Sequence, residues 1–165
     1  MIPKRVYAKI NLDNIQKNIQ SIKAKFNDQV AVMGIVKANG YGHGAVGIAP
    51  ALMEAGAYAL AVATLTEALE LKEAYPEYPV FIMGHTPDRL LHYVVEKDII
   101  QTVFSLEQVE KLGELATKAG KTATENSTNI QLPEIPNDFP CMIAKNIVST
   151  SSFNTPNTIF FISLI

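Results

Sequence analysis

Two kinds of stretch take turns along most of the chain. Val30–Val36, Tyr58–Ala63, Val80–Met83 and Ile99–Phe104 are short apolar runs with little polar interruption. That is the pattern of strands covered on both faces. Amphipathic stretches follow each run. "AVGIAPALMEAGA" has Pro50 near its first turns and Gly56 as a C-terminal stop. "TLTEALELKEAY" opens on Thr64 and Glu67, the two residues of a capping box. "PDRLLHYVVEK" comes next, and Ser105 with Gln108 caps "SLEQVEKLGELATKAG". The result is four successive strand–helix units of roughly 20 to 30 residues each. Strand, helix and strand at this spacing predict parallel strands joined by right-handed crossovers, an α/β fold.

Both ends of the chain differ from this middle. "VYAKINL" alternates like an edge strand. "DNIQKNIQSIKAKF" predicts a helix with Asp13 at its N-cap and Gln16 three residues on. Beyond Thr122 the chain turns rich in Asn, Ser, Thr and Pro, and holds four charged side chains against twenty-six before it. No helical or strand period survives there, so residues 123–165 read as a disordered or irregular tail. Its apolar end, "TIFFISLI", is an aggregation hazard when exposed.

Composition narrows the class. A chain of 165 residues can bury one ordinary core. A net charge of −2 gives no electrostatic case for nucleic acid or an anionic membrane. No apolar run is long enough to cross a bilayer, and no apolar signal region follows the N-terminus. Cys141 stands alone, which excludes an intrachain disulfide framework. A soluble cytoplasmic protein is the expectation. His43, His85 and His92 are too scattered to suggest a metal site.

The chemistry concentrates where the first apolar run ends, in "VMGIVKANGYGHGA". Ligands of parallel α/β folds bind beyond the carboxyl ends of the strands, and Lys37 stands at such an end. A lysine amine attacks aldehydes to form a Schiff base, and the position suits one. Gly40, Gly42 and Gly44 let the backbone approach a bound group and offer N–H groups to a phosphate. The Tyr41 hydroxyl suits the same anion. On pattern alone, a strand-end lysine more often snorkels to water. The order excludes a P-loop, in which the glycines precede the lysine.

This segment resembles the cofactor-attachment segment of bacterial alanine racemases, usually a Val-Lys-Ala-Asn-Ala-Tyr-Gly-His-Gly run; only Gly40 departs, where alanine is usual. "VYAKINLDNIQKNI" is similar to the family's opening, with Lys9 and Asn11 where Glu and Asp are usual. "AGAYALAVATLTEALELKEA" and "IIQTVFSLEQVEKL" are similar to its second and fourth units, so the likeness runs from about Arg5 to Thr122. The resemblance implies a partial (β/α)8 TIM-type barrel, about four strand–helix units of eight. A whole barrel needs about 250 residues. It further implies pyridoxal 5'-phosphate as cofactor, attached to Lys37, which also serves as one of two catalytic bases on the D-enantiomer side. Tyr41 is implied as a contact to the cofactor phosphate, a homodimer as the working form, and D-alanine for peptidoglycan as the product.

The family's C-terminal β domain, its second base (a tyrosine from the partner subunit) and its pyridine-facing arginine have no counterpart among these residues. The expectation is therefore residues 1–122 as the N-terminal part of the cofactor-binding barrel, and 123–165 as an unrelated, aberrant tail. A truncated chain, inactive alone, follows from that. The alternatives are a non-catalytic fragment that holds pyridoxal phosphate, a racemase of another small amino acid such as serine, and an unstable fragment without activity.

Other residues read as structural. His43 suits a supporting hydrogen bond, His85 lines the same end of the strands, and His92 lies on a helix surface. Met83 suits core or pocket wall. Glu67, Glu70 and Glu73 read as a solvated helix face.

Overall fold

Each of the four apolar runs becomes a strand. In the computed structural model, which describes residues 6–26, 30–103, 105–120 and 158–163, these are β1 (Val30–Ile35), β2 (Ala59–Val62), β3 (Val80–Ile82) and β4 (Ile100–Gln101). All pair in parallel, and their spatial order follows the chain, β4-β3-β2-β1. Sequential parallel strands with a helix after each are how a (β/α)8 barrel winds. The chain therefore has the architecture of part of such a barrel. The fourth strand is shorter than the apolar run Ile99–Phe104, and Phe104 lies outside the described residues.

Helices alternate with the strands. They are α1 (Leu12–Lys23), the short α2 (Lys37–Tyr41), α3 (Ala45–Glu54), α4 (Leu65–Ala74), α5 (Leu91–Glu96) after a 3-10 turn, and α6 (Leu106–Lys118). The capping signals act much as expected. Thr64 and Glu67 form a reciprocal capping box, and the Ser105 hydroxyl accepts from the Gln108 N–H. The Gln108 side chain does not complete a box. It donates to the Thr86 carbonyl at 3.1 Å instead. Gly56 follows the end of α3 with φ +88, a conformation open to glycine at little cost.

Two expectations at the N-terminus are corrected. The α1 cap is Asn11, not Asp13: the Asn11 side chain accepts from the Asn14 N–H at 3.1 Å, and Asp13 lies in the first turn. An Asn in place of Asp caps equally well, because the cap needs only a side-chain oxygen. "VYAKINL" forms no strand over Val6–Asn11, and Val6 and Tyr7 are 87% and 79% exposed. Alternation yields a strand only where a neighbouring strand pairs with it.

Register separates the two faces of the sheet. Gly34, Leu60 and Val80 align on one face, as do Met33 with Ala59 and Ala61 with Phe81 on the other. The first face packs against the helices, where Val32, Leu60, Val62, Val80 and Ile82 join Ile48, Leu52, Leu71, Leu91 and Leu112. The other carries a smaller apolar cluster of Met33, Ala59, Ala61 and Phe81, flanked by Ile35 and Met83. Helix α1 buries Ile15 and Ile19, one turn apart, and Gln16 and Lys23 bond to Glu54 and to the Gly56 carbonyl.

Of residues 123–165, the described part is Thr158–Ser163, which forms β5, parallel to β1 on its outer edge. The sequence reading placed no strand there. Its middle, Ile159–Ile162, is a continuous apolar run, which shows no period of two. Cys141 and the boundary near Thr122 lie outside the described residues.

Candidate functional site

Lys37 stands where β1 ends, at the carboxyl edge of the parallel sheet, and is half-buried. The segment expected to be an open glycine loop is instead a single left-handed helical turn. Ala38, Asn39 and Gly40 hold φ/ψ of 51/48, 53/46 and 61/37, and Tyr41 continues with φ 52. Its helical bond runs from the Gly40 N–H to the Val36 carbonyl at 2.7 Å. A left-handed helix sets each Cβ against the following carbonyl, at about 1–2 kcal/mol per residue for L-amino acids. Alanine and tyrosine are held here only because the surroundings over-determine the turn.

Three groups of bonds supply that hold. The Asn39 carbonyl accepts from the N–H groups of Gly42 and Gly44 at 3.2 and 2.9 Å. The Asn39 side-chain oxygen accepts from the Ala45 N–H at 2.9 Å, which caps α3 in place of Gly44, a residue without a side chain. The Gly40 carbonyl accepts from the His43 N–H at 3.0 Å and from its ring Nδ1 at 2.9 Å, and that bond requires the proton on Nδ1. His43 is thus the supporting hydrogen bonder expected of it. The third group belongs to Glu67. Its Oε1 accepts from the Ala38 N–H at 2.6 Å, and its Oε2 accepts from the Ala63 and Thr64 N–H groups at 2.9 and 3.1 Å.

Two expectations fail at this turn. The glycine N–H groups are not offered to an anion: those of Gly40, Gly42 and Gly44 all donate to carbonyls within the segment. A left-handed turn closes on itself and consumes its donors. Glu67 is no solvated surface residue; Glu70 and Glu73 are exposed as expected, but Glu67 is half-buried and bonded on both oxygens. Gly40 is the tightest point. A Cβ there would lie 3.0 Å from Ile48 Cδ1, and its φ is +61.

Asn39 was not singled out in the sequence, although its Asn-Gly dipeptide with Gly40 is a turn signal. Asn39→Ala should remove a helix cap worth about 1 kcal/mol and place alanine where Asn is better tolerated. A loss of about 2 kcal/mol in urea unfolding is expected. A loss under a few tenths would show that Ala45 is capped some other way.

The expected site residues, Lys37 and Tyr41, both lie on this turn, and Tyr41 is half-buried. His85 follows β3 in an exposed loop with Gln108 Nε2 3.5 Å from its Nδ1, and the His92 ring lies 4.1 Å from that of Tyr93 on α5. A buried polar network lies at the same sheet edge. Thr86 donates to Gln101 Oε1 at 2.6 Å, and Gln101 Nε2 donates to the Gly84 and Thr102 carbonyls at 2.8 and 2.6 Å. It ties the ends of β3 and β4 together. No sequence pattern marked it, because its partners lie in separate loops. Among the described residues, no group of three His, Cys, Asp or Glu side chains could hold a metal ion, and no helix is long and apolar enough to cross a membrane.

Residues 10–125 match the family model of the alanine racemase N-terminal domain. Alanine racemase 2 of Caldanaerobacter subterraneus subsp. tengcongensis is 50% identical over 121 residues, 73% of this chain and 31% of that protein. The alanine racemase of Clostridium novyi is 46% identical over 118 residues, 72% of this chain and 30% of that protein. The chain therefore spans about a third of the length of the curated relatives it matches. Among solved structures, alanine racemase of Clostridium difficile 630 in complex with cycloserine superposes with a TM-score of 0.68 at 35% identity, over 74% of this chain and 32% of that one. A histidine racemase from Leuconostoc mesenteroides gives 0.58 at 26% identity, over 66% and 29%.

Proposed function

Since the chain belongs to the alanine racemase N-terminal domain family, we propose that it supplies the lysine-bearing part of a pyridoxal-phosphate-dependent amino-acid racemase. The observation that carries this reading is the placement of Lys37: a half-buried amine at the carboxyl end of β1, presented by a strained turn held at both ends. The sheet face that carries Met33 and Ile35, four and two residues before Lys37, suits a flat aromatic aldehyde. The side chains of Ala59 and Ala61 are small, and the flanking Met33, Ile35, Phe81 and Met83 are apolar.

When bound, pyridoxal phosphate withdraws electrons from the substrate's Cα and so acidifies its proton. The chain's own residues then have defined tasks. The Lys37 Nζ would hold the cofactor through its aldehyde carbon, and the same amine would take and return the Cα proton on one face. The Tyr41 hydroxyl donates to the phosphate. Inversion requires a second base on the opposite face, so we place the working site between two subunits of a homodimer.

The finer proposals rest on the same kinship: residues 1–122 as the cofactor-binding part and 123–165 as a tail unrelated to the family, alanine as substrate, cytoplasmic location, and D-alanine for peptidoglycan as the use. A racemase of another amino acid is the second reading, favoured by the histidine racemase among the structural neighbours. Visible absorbance with added pyridoxal phosphate, then conversion of L- to D-alanine against L-serine and L-histidine, tests both readings. Absence of any cofactor spectrum would overturn both. Tyr41→Phe should lose a hydrogen bond to a charged group, about 1.5–3 kcal/mol, and weaken cofactor retention by about 10- to 100-fold in equilibrium dialysis. Unchanged retention would remove Tyr41 from the phosphate site.

A further inference from the structure

We infer that Glu67 is a positioning residue for Lys37. Its role in α4 needs only one carboxylate oxygen: Oε2 accepts from Thr64 and Ala63, closing the capping box and the end of β2. The other oxygen leaves that helix altogether. Oε1 reaches across to the turn that follows β1 and accepts from the Ala38 N–H at 2.6 Å, 29 residues away in sequence. Ala38 opens the left-handed turn with φ 51, a conformation alanine does not hold by itself. Its N–H belongs to the peptide unit that also contains the Lys37 carbonyl. That bond restrains the plane of the peptide after Lys37, while the Val36 N–H bond to the Ala61 carbonyl holds the chain before it; the Lys37 Cα, and with it the direction in which the side chain leaves, is held between the two. One carboxylate thus ties together the ends of two neighbouring strands and sets the aim of the amine.

This inference rests on Lys37 being the attachment point proposed above, and the experiment keeps the two apart. Glu67→Gln keeps the shape but leaves one oxygen to serve donors on two sides. Glu67→Asp keeps the charge and is one methylene shorter; it carries the test should the first variant not fold. Thr64→Ala is the control, because it breaks the other half of the capping box and leaves the carboxylate intact. Each variant of the 165-residue chain is measured in two ways, by hydrogen exchange at the Ala38 amide and by the rate of borohydride-fixed pyridoxal phosphate attachment at Lys37. Condensation releases water, borohydride supplies the hydride, and peptide mass spectrometry locates the adduct.

In Glu67→Gln the Ala38 amide should exchange at least about tenfold faster, and attachment at Lys37 should slow by about 10- to 100-fold. Thr64→Ala should melt earlier yet leave both readouts at wild-type values. Wild-type Ala38 protection in the Glu67 variants would overturn the inference, as would equal effects in Thr64→Ala, which would mean general loosening of α4. Failure of wild-type protein to attach cofactor at Lys37 would instead overturn the proposed function, and Ala38 exchange would still decide whether Glu67 holds the turn.

Discussion

Lys37→Ala should abolish covalent uptake of pyridoxal phosphate and reduce any racemisation to background. Alanine has no amine to condense with the aldehyde, so the spectrum of the attached cofactor should vanish. Loss of the base itself costs about 10²- to 10⁴-fold, and loss of covalent anchoring adds to that. The fold should scarcely notice. The bonds around Lys37 that hold the turn are the backbone bond from Gly40 to Val36 and the Glu67 bond at Ala38, and neither uses the lysine side chain. The change in unfolding free energy should therefore stay within about 0.5 kcal/mol, as for other half-exposed positions. Absorbance titration with cofactor, chiral analysis of alanine and urea unfolding of the same sample check the three parts. A cofactor spectrum that survives and can be fixed with borohydride at a different lysine would refute the assignment.

Leu60→Ala should have the largest effect on stability. Leu60 is fully buried in the middle strand of the described sheet, paired on one side to Gly34 and on the other to Val80. Gly34 has no side chain, and Leu52 of α3 descends into that space; a Cβ on Gly34 would meet its Cδ1 at 3.1 Å. Leu60 and Leu52 therefore share one closely filled layer between sheet and helix. Truncating Leu60 leaves a cavity whose floor is hydrogen-bonded on both edges and cannot sink to fill it. The cost should be about 2–5 kcal/mol, read as a lower urea midpoint at an unchanged slope. A loss below about 1 kcal/mol would mean that α3 settles onto the sheet.

The two readouts probe different layers, and the sequence made those layers unequally legible. The strands β1 to β4 and the helices after β2 and β4 are plain, because buried parallel strands are continuous apolar runs, and Thr64 and Ser105 announce their helices through local capping chemistry. Lys37 and Tyr41 stand out as candidates through a motif of consecutive residues. The roles of Glu67 and Gln101 do not, since each acts on a backbone group in another unit: Ala38 for the one and Gly84 for the other. The left-handed turn was hidden for a related reason. Three glycines suggest a pliable loop with spare donors, whereas the chain uses them to close a rigid turn that spends those donors internally. At β5 the text misled by composition: an uncharged apolar run among polar residues reads as a hazard, yet the same features suit it to the bare edge of β1.

The long sequence span of the Glu67 bond also governs when, during synthesis, the lysine acquires its aim. A ribosome releases the chain N-terminus first, so β1 and the strained turn emerge before the carboxylate that holds them. At roughly 5–20 residues per second, the 29-residue separation of Ala38 and Glu67 takes about 1.5 to 6 seconds to make. Throughout that interval the turn is free to relax to right-handed or extended backbone, and Lys37 remains an ordinary flexible amine. The nascent chain should therefore not capture cofactor until the second strand–helix unit has left the exit tunnel. Stalled chains of increasing length, exposed to pyridoxal phosphate and borohydride, should show Lys37 labelling begin abruptly at that length.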